Sequence, residues 1–129
     1  MRLYASHQEG GALSDKTHDQ SLRIEEYDYR GSPRLRALGA ILAENAASLS
    51  DAALALARQH GLDQIVIDLS GTHFIDSGGI GELVKLHQTL KRQGVSLALE
   101  YVAPKIHDVL KTAALDNLLD IRSDRRRMG

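Results

Sequence analysis

The residues best suited to chemistry surround Ser77, in the stretch FIDSGGIGE. Ser77 follows Asp76 and precedes Gly78 and Gly79. A serine beside a carboxylate can act as a nucleophile, accept a phosphate or cap a helix, and a glycine-rich turn can also cradle a phosphate group. Each of these interpretations makes a different demand on the rest of the chain.

A hydrolase needs a general base close to Ser77 and donors for an oxyanion. Asp-Ser-Gly-Gly also surrounds the nucleophile of trypsin-like proteases, but those are longer, all-β proteins of two barrels. The Gly-x-Ser-x-Gly elbow of α/β hydrolases does not occur, since Ile75 stands two residues before the serine. His73 is close in sequence, yet three residues of extended chain make poor triad geometry. The sequence therefore argues against catalysis by this chain.

The glycines do not match a nucleotide loop, because neither Gly-Lys-Ser/Thr nor Gly-x-Gly-x-x-Gly spacing occurs. On the residues alone, the simplest interpretation is that Asp76 and Ser77 cap a helix beginning near Gly78. Two glycines in a first turn weaken a helix by up to about 1 kcal/mol each relative to alanine. We therefore expect this tight backbone to allow the close approach of another group.

The elements that position this stretch are predicted from the spacing of apolar residues. Helical spacing predicts three helices, over residues 43–61, 78–94 and 104–115. Apolar runs predict strands at LRIEEYDY (22–29), in the segment 35–42, at IVIDL (65–69, buried on both faces), at VSLALEYV (95–102) and near 118–121. The turn at Gly31-Ser32-Pro33 joins the first two strands into an N-terminal hairpin. Helices alternating with buried strands predict one α/β domain with crossover helices.

Composition limits the partners and the location. The 129 residues carry a formal net charge of -1, which gives no electrostatic reason to bind nucleic acid or an anionic membrane. No apolar run approaches the roughly 20 residues of a membrane span, and the N-terminus lacks the apolar core of a secretory signal. Cysteine does not occur, and His73 has no partner at metal-ligand spacing, so we expect a cytoplasmic protein without a metal or cofactor. We divide the chain into a flexible lead-in (1–20), a domain (21–122) and a basic tail (123–129).

The stretch from Ile65 to Ile121 resembles STAS domains, and specifically the bacterial anti-sigma-factor antagonists. The matching motifs are Asp68-Leu69-Ser70-Gly71, Phe74-Ile75-Asp76-Ser77, Gly79-Ile80-Gly81, Ala103-Pro104, and Leu115 with Leu118. The resemblance implies a single STAS-like α/β domain. Its sheet is expected to be mixed, with an N-terminal hairpin and with helices packed mainly on one face.

The resemblance also implies a mechanism of partner switching. Ser77 is the serine that a partner anti-sigma factor or switch protein with serine-kinase activity phosphorylates, and a PP2C-type phosphatase reverses the modification. The unphosphorylated form binds the kinase partner and frees its other client, commonly a sigma factor. The chain itself then catalyses no reaction. We expect the partner-binding residues to be His73, Asp76, Ser77, Gly78, Gly79, Ile80 and Glu82.

Two features separate this chain from the usual pattern. Gly78 stands where the family commonly has Ser or Thr, which removes a hydroxyl and is expected to loosen the helix start. Ala114 replaces a glycine often found before the leucine at 115.

An alternative function is that of a STAS accessory subunit which docks on an ABC-type transporter ATPase through the same helix face, without phosphorylation. Asp68, at the end of a buried strand, is expected to support the loop before Asp76 by accepting backbone amides.

Overall fold

The computed structural model describes residues 2–5 and 21–123. Six strands, three α-helices and one 3₁₀ turn lie in those residues. The strands are β1 (Arg2–Ala5), β2 (Arg23–Tyr29), β3 (Ser32–Leu38), β4 (Gln64–Gly71), β5 (Ser96–Val102) and β6 (Asp120–Ser123). The helices are α1 (Ala46–His60), α2 (Ser77–Arg92) and α3 (Pro104–Thr112), and the 3₁₀ turn covers Leu115–Asn117.

The six strands form one sheet in the order in which they occur along the chain. Strands β1, β2 and β3 pair antiparallel, and β3 to β6 pair parallel. Because each parallel strand adds to the same side of its predecessor, right-handed crossovers bring α1, α2 and α3 to the same face of the sheet. The prediction of a mixed sheet with an N-terminal hairpin and helices mainly on one face is confirmed.

The hydrophobic core lies between the helices and one face of the sheet. Alternate residues of β4 enter it, and Ile65, Ile67 and Leu69 are fully buried. The i, i+4, i+7, i+8 spacing of Leu49, Ala53, Leu56 and Ala57 predicts one buried stripe on α1, and all four residues are buried.

For α3 the spacing predicts an apolar face of Ile106, Val109, Leu110 and Ala113, and this is only partly right. Ile106 and Leu110 are buried, whereas Val109 is 39% exposed and Ala113 is also exposed. The main contacts of α3 are with the 3₁₀ turn and β6, so the flank of the helix that carries Val109 is left uncovered.

Among the described residues, the other face of the sheet is covered by charged side chains of neighbouring strands. We name this surface the open face, formed by Glu25, Tyr27, Arg34, Arg36, Val66, Asp68, Ala98, Glu100 and Arg122. On it Val66 is 5% exposed and Asp68 is 3% exposed. The prediction that IVIDL is buried on both faces is therefore confirmed, although charged side chains rather than a helix cover one of these faces.

Two sets of ion pairs cross the open face. Arg36 donates to Asp68 at 3.1 Å and pairs with Glu25 at 3.6 Å. Glu100 accepts from Arg34 at 2.9 Å and from Arg122 at 2.7 Å. Each arginine or carboxylate at the centre of a set therefore has two oppositely charged neighbours, which offsets the cost of partial burial.

Tyrosine 27 joins the first of these sets. The Arg36 guanidinium lies over the Tyr27 ring, 4.3 Å from its centroid, in a cation–π arrangement. Burial raises the pKa of the Tyr27 phenol above its ordinary value, and the charge of Asp68 raises it further. Tyr27 is thus held in its neutral form on a surface where charges are already balanced.

One strand was not predicted, and several boundaries differ from those predicted, most clearly around residues 39–45. Strand β1 lies within the segment 1–20, where the sequence predicts no element, and it pairs with β2 from Arg2↔Glu26 to Ala5↔Arg23. Strand β3 ends at Leu38, and α1 begins at Ala46. Both differ from the predicted ends because residues 39–45 form a loop with contacts of its own, described below. The rest of the predicted lead-in, 6–20, and the tail from 124 onward lie outside the described residues.

Candidate functional site

The candidate site lies where the chain leaves the carboxyl ends of β3 and β4, the edge at which open α/β sheets place functional groups. The loop after β3 and the loop after β4 run side by side and exchange backbone hydrogen bonds. Gly39 N donates to Gly71 O at 3.0 Å, Ile41 N to Phe74 O at 3.0 Å, and Asp76 N to Ile41 O at 3.2 Å. We name the contact between residues 39–45 and residues 71–79 the seam.

Asp76 joins the two sides of the seam through its side chain. It is the N-cap of α2, and its Oδ1 accepts from Gly79 N at 2.7 Å. The same carboxylate accepts from Ala43 N, at 3.0 Å to Oδ1 and 3.3 Å to Oδ2. A negative charge at this end of a helix is favourable. Asp76 is therefore the cap that the sequence predicts, whereas Ser77 is the first residue of the helix rather than its cap.

The two glycines after Ser77 have no room for a side chain. A Cβ on Gly78 would lie 2.2 Å from Ala43 Cβ, and one on Gly79 would lie 2.3 Å from Ile41 O. The expectation that a group approaches this backbone closely is thus met by residues 41–43 of the same chain. Gly78 consequently admits the loop against the helix, and the expectation that it loosens the helix start is not supported by this packing.

Asn45 stabilises the loop 39–45 through hydrogen bonds within it. This residue was not identified from the sequence. Its buried side chain accepts from Leu42 N at 2.9 Å and donates to Ala40 O at 3.1 Å. An asparagine just before a helix is typical of a cap, but Asn45 makes no side-chain cap bond to α1. The adjacent glycines at 78 and 79 were the signal in the sequence that a second segment lies here; they could not identify the segment as residues 41–45.

The predicted partner-binding residues differ in what they present to solvent. Ser77 and His73 are exposed, whereas Asp76 and Gly78 are half-buried and Gly79 is buried beneath the loop. One turn further along α2, Ile80 is half-buried against the core. Glu82 is also half-buried and pairs with Lys85 at 3.7 Å. The structure thus brings Asp76, Ser77 and the two glycines into one turn, with Ser77 as its exposed hydroxyl.

Asp68 accepts a backbone amide, as predicted, but at a different place. Its Oδ1 accepts from Ser70 N at 2.7 Å, and its Oδ2 accepts from Arg36. These contacts belong to the end of β4 and the open face. Asp68 therefore supports the strand that leads to the seam, while Asp76 supports the loop itself.

Two further properties concern only the part of the chain that the structure describes. Within residues 2–5 and 21–123, no group of three or more His, Asp or Glu side chains is arranged to hold a metal ion. Among the helices of those residues, none is long and apolar enough to cross a membrane.

The mixed six-stranded sheet with its helices on one face is consistent with the fold of a STAS domain. The family model for the STAS domain matches residues 27–127, and the chain belongs to this family. The match begins near the end of β2 and includes β3 and α1, well beyond the motifs by which the sequence alone resembles the family. No curated protein matches the chain significantly.

Solved structures give the same fold. An anti-sigma factor antagonist from Mycobacterium paratuberculosis is 22% identical, with a TM-score of 0.66 over 82% of this chain and 89% of its own. The Bacillus cell fate determinant SpoIIAA in its phosphorylated form is 15% identical, with a TM-score of 0.56 over 76% and 89%. A sulfate transporter family protein from Wolinella succinogenes is 15% identical, with a TM-score of 0.60 over 69% and 73%. At these identities the likeness establishes the fold.

Proposed function

We propose that this protein is a partner-switching regulator of the anti-sigma-factor-antagonist type. In this proposal a serine kinase that is an anti-sigma factor or switch protein phosphorylates Ser77, and a PP2C-type phosphatase removes the phosphate. The unphosphorylated chain binds the kinase, and the phosphorylated chain does not. The observation that carries the proposal is the position of Ser77, an exposed hydroxyl on the first residue of α2 beside the capping carboxylate of Asp76.

The geometry supports Ser77 as a substrate of modification. Its side chain is exposed, while the backbone on both sides is fixed by the Asp76 hydrogen bonds and by the glycine contacts of the seam. A kinase therefore meets the hydroxyl in one place and has no loop to order first, which lowers the entropic cost of binding. Likeness to the phosphorylated and unphosphorylated forms of SpoIIAA agrees with a fold that persists when it carries a phosphate.

Electrostatics supports a local switch. A phosphate carries about -1.5 to -2 charges at neutral pH and is favourable at a helix N-terminus, so it need not unfold α2. Against a docked partner it adds bulk and a charge of the same sign as Asp76. The ammonium of Lys85, two turns further along α2, already pairs with Glu82. A loss of about 3 kcal/mol at the interface lowers the affinity more than a hundredfold.

The test uses the purified protein, ATP and the candidate serine kinase encoded by its genomic neighbours, with the added phosphate located by mass spectrometry. We expect phosphate on Ser77, kinase binding by Ser77→Ala, and loss of that binding in Ser77→Asp. Ser32→Ala is the matched control. Ser32 is an exposed serine at the start of β3, whereas the seam lies beyond the end of that strand. Absence of phosphate on Ser77 with every neighbouring kinase, together with stable co-purification with a transporter ATPase, would overturn the proposal in favour of the accessory-subunit function.

A further inference from the structure

Phe74 is an exposed aromatic ring three residues before Ser77. It is the single phenylalanine of a chain that has no tryptophan, and 57% of its surface is exposed, more than for any other large hydrophobic residue in the described part of the chain. One exposed apolar residue is ordinary on a protein surface. The distinguishing features of Phe74 are its rigid base and its neighbours.

The backbone under the ring is fixed on both sides. Phe74 O accepts from Ile41 N at 3.0 Å, and the next residue, Ile75, is buried and pairs with Ile41 as an isolated bridge. Before the ring, Thr72 is fully buried, and its hydroxyl donates to Ala37 O at 3.3 Å. The ring therefore projects from an ordered part of the seam, and binding a partner need not order its backbone.

Small residues are exposed close to Ser77. Ala43 is exposed and lies against Gly78, and Gly81 is exposed, with nothing within 4 Å of where its Cβ would be. Ser77 and Gly81 are four residues apart on α2 and therefore lie on one side of the helix. Within the seam, Phe74 is thus the exposed large apolar side chain, and the exposed residues Ala43, Ser77 and Gly81 are small.

We propose that Phe74 is the apolar anchor of the kinase complex, seated in an apolar pocket of the kinase close to the site from which phosphate is transferred. This inference rests on the proposed function and specifies its partner. Three residues of chain separate the Cα atoms of Phe74 and Ser77 by at most about 11 Å, so a pocket that holds the ring also restricts where the hydroxyl can lie. A few aromatic residues that fill desolvated pockets, surrounded by contacts of little energy, often carry most of the binding energy at a protein interface. The anchor positions Ser77 and takes no part in the transfer itself.

The test compares the affinity of the purified kinase, in the presence of ADP, for four full-length proteins: wild type, Phe74→Ala, Phe74→Leu and Leu118→Ala. Leu118 is the matched control, since it is 51% exposed but lies just before β6, at the opposite end of the sheet from the seam. We expect about a thirtyfold or greater loss for Phe74→Ala, partial recovery in Phe74→Leu, and no change for Leu118→Ala. Thermal unfolding should be unchanged in all the variants, because the two side chains are mostly exposed.

The outcomes separate the two proposals. If wild type binds the kinase and is phosphorylated on Ser77, but Phe74→Ala binds equally well, the anchor is wrong and the proposed function stands. If wild type neither binds nor is phosphorylated, the proposed function fails, and the anchor fails with it. If the protein alone self-associates and Phe74→Ala abolishes this in analytical ultracentrifugation, a second copy of the chain occupies the ring, and the kinase pocket is excluded.

Discussion

The seam and the open face border the main core at two different places, and they are held by different interactions. At the seam, backbone meets backbone so closely that neither Gly78 nor Gly79 can carry a methyl group. On the open face, long charged side chains meet above the strands, and Arg36 and Glu100 each have two partners. The backbone at the seam therefore leaves no space for added atoms. On the open face, Arg36 and Glu100 each keep one ion-pair partner when the other is removed.

This difference matches what each region has to do. In the proposed function Ser77 is presented to a kinase in one position, and rigid backbone contacts achieve that without relying on flexible side chains. The open face only has to cover Val66 and the buried Asp68 carboxylate, and arginine stems with carboxylates can do so in more than one arrangement. Substitutions at the seam should therefore cost more than substitutions of comparable size on the open face.

The largest effect is expected for Gly79→Ala. The new Cβ would meet Ile41 O at 2.3 Å, and a backbone atom cannot move away as the tip of a side chain can. We expect a loss of about 3 kcal/mol in the free energy of unfolding, measured by urea denaturation, in spite of the higher helix propensity of alanine. An unchanged midpoint would show that the loop can separate from α2 at little cost, and that the seam does not fix Ser77.

A smaller loss is expected for Asp76→Ala. The change removes the cap on Gly79 N and the acceptor for Ala43 N, and we expect a loss of about 2 kcal/mol in unfolding free energy. Amide hydrogen exchange at Gly79 and Ala43 should accelerate together, because one carboxylate protects both. Asp76→Asn retains an acceptor oxygen and should lose only part of this. Faster exchange at Gly79 alone would contradict the role of Asp76 in joining the two loops.

Much of the fold could be predicted because its signals are periodic. The buried stripe of α1 and the buried run IVIDL follow from residue spacing alone, and both are confirmed. Val109 was predicted to be buried but is exposed. Spacing cannot show that no other element covers the flank of α3 which carries it. Strand β1 was missed because four residues with a single strong apolar side chain give no pattern.

Only those features of the candidate site that depend on neighbouring residues in the sequence could be predicted. Asp76 as a cap and the need for a close approach at Gly78 and Gly79 both follow from the local sequence. The approaching segment could not be identified, because Ile41 and Ala43 lie more than thirty residues earlier and are ordinary apolar residues. Their role is a property of the tertiary fold. The same holds for Asp68, whose partner Arg36 comes from a neighbouring strand.

On the open face, Asp68→Asn tests the tolerance of the ionic cover. Asparagine keeps an acceptor for Ser70 N but removes the charge that pairs with Arg36, which retains Glu25. We expect a loss of about 1 kcal/mol in unfolding free energy, smaller than for either substitution at the seam. A loss of unfolding free energy equal to that of Gly79→Ala would mean that the open face tolerates substitution no better than the seam. The contrast between the two regions would then be wrong.

The smallest effect, of opposite sign, is expected for Gly81→Ala. Gly81 is in the same helix as Gly79, two residues further on, yet nothing lies within 4 Å of the position of its Cβ. Because alanine is the better helix former, we expect a gain of about 0.5–1 kcal/mol in unfolding free energy by urea denaturation. A loss instead would show that the start of α2 rejects any side chain. The penalty at Gly79 could then no longer be assigned to its contact with Ile41.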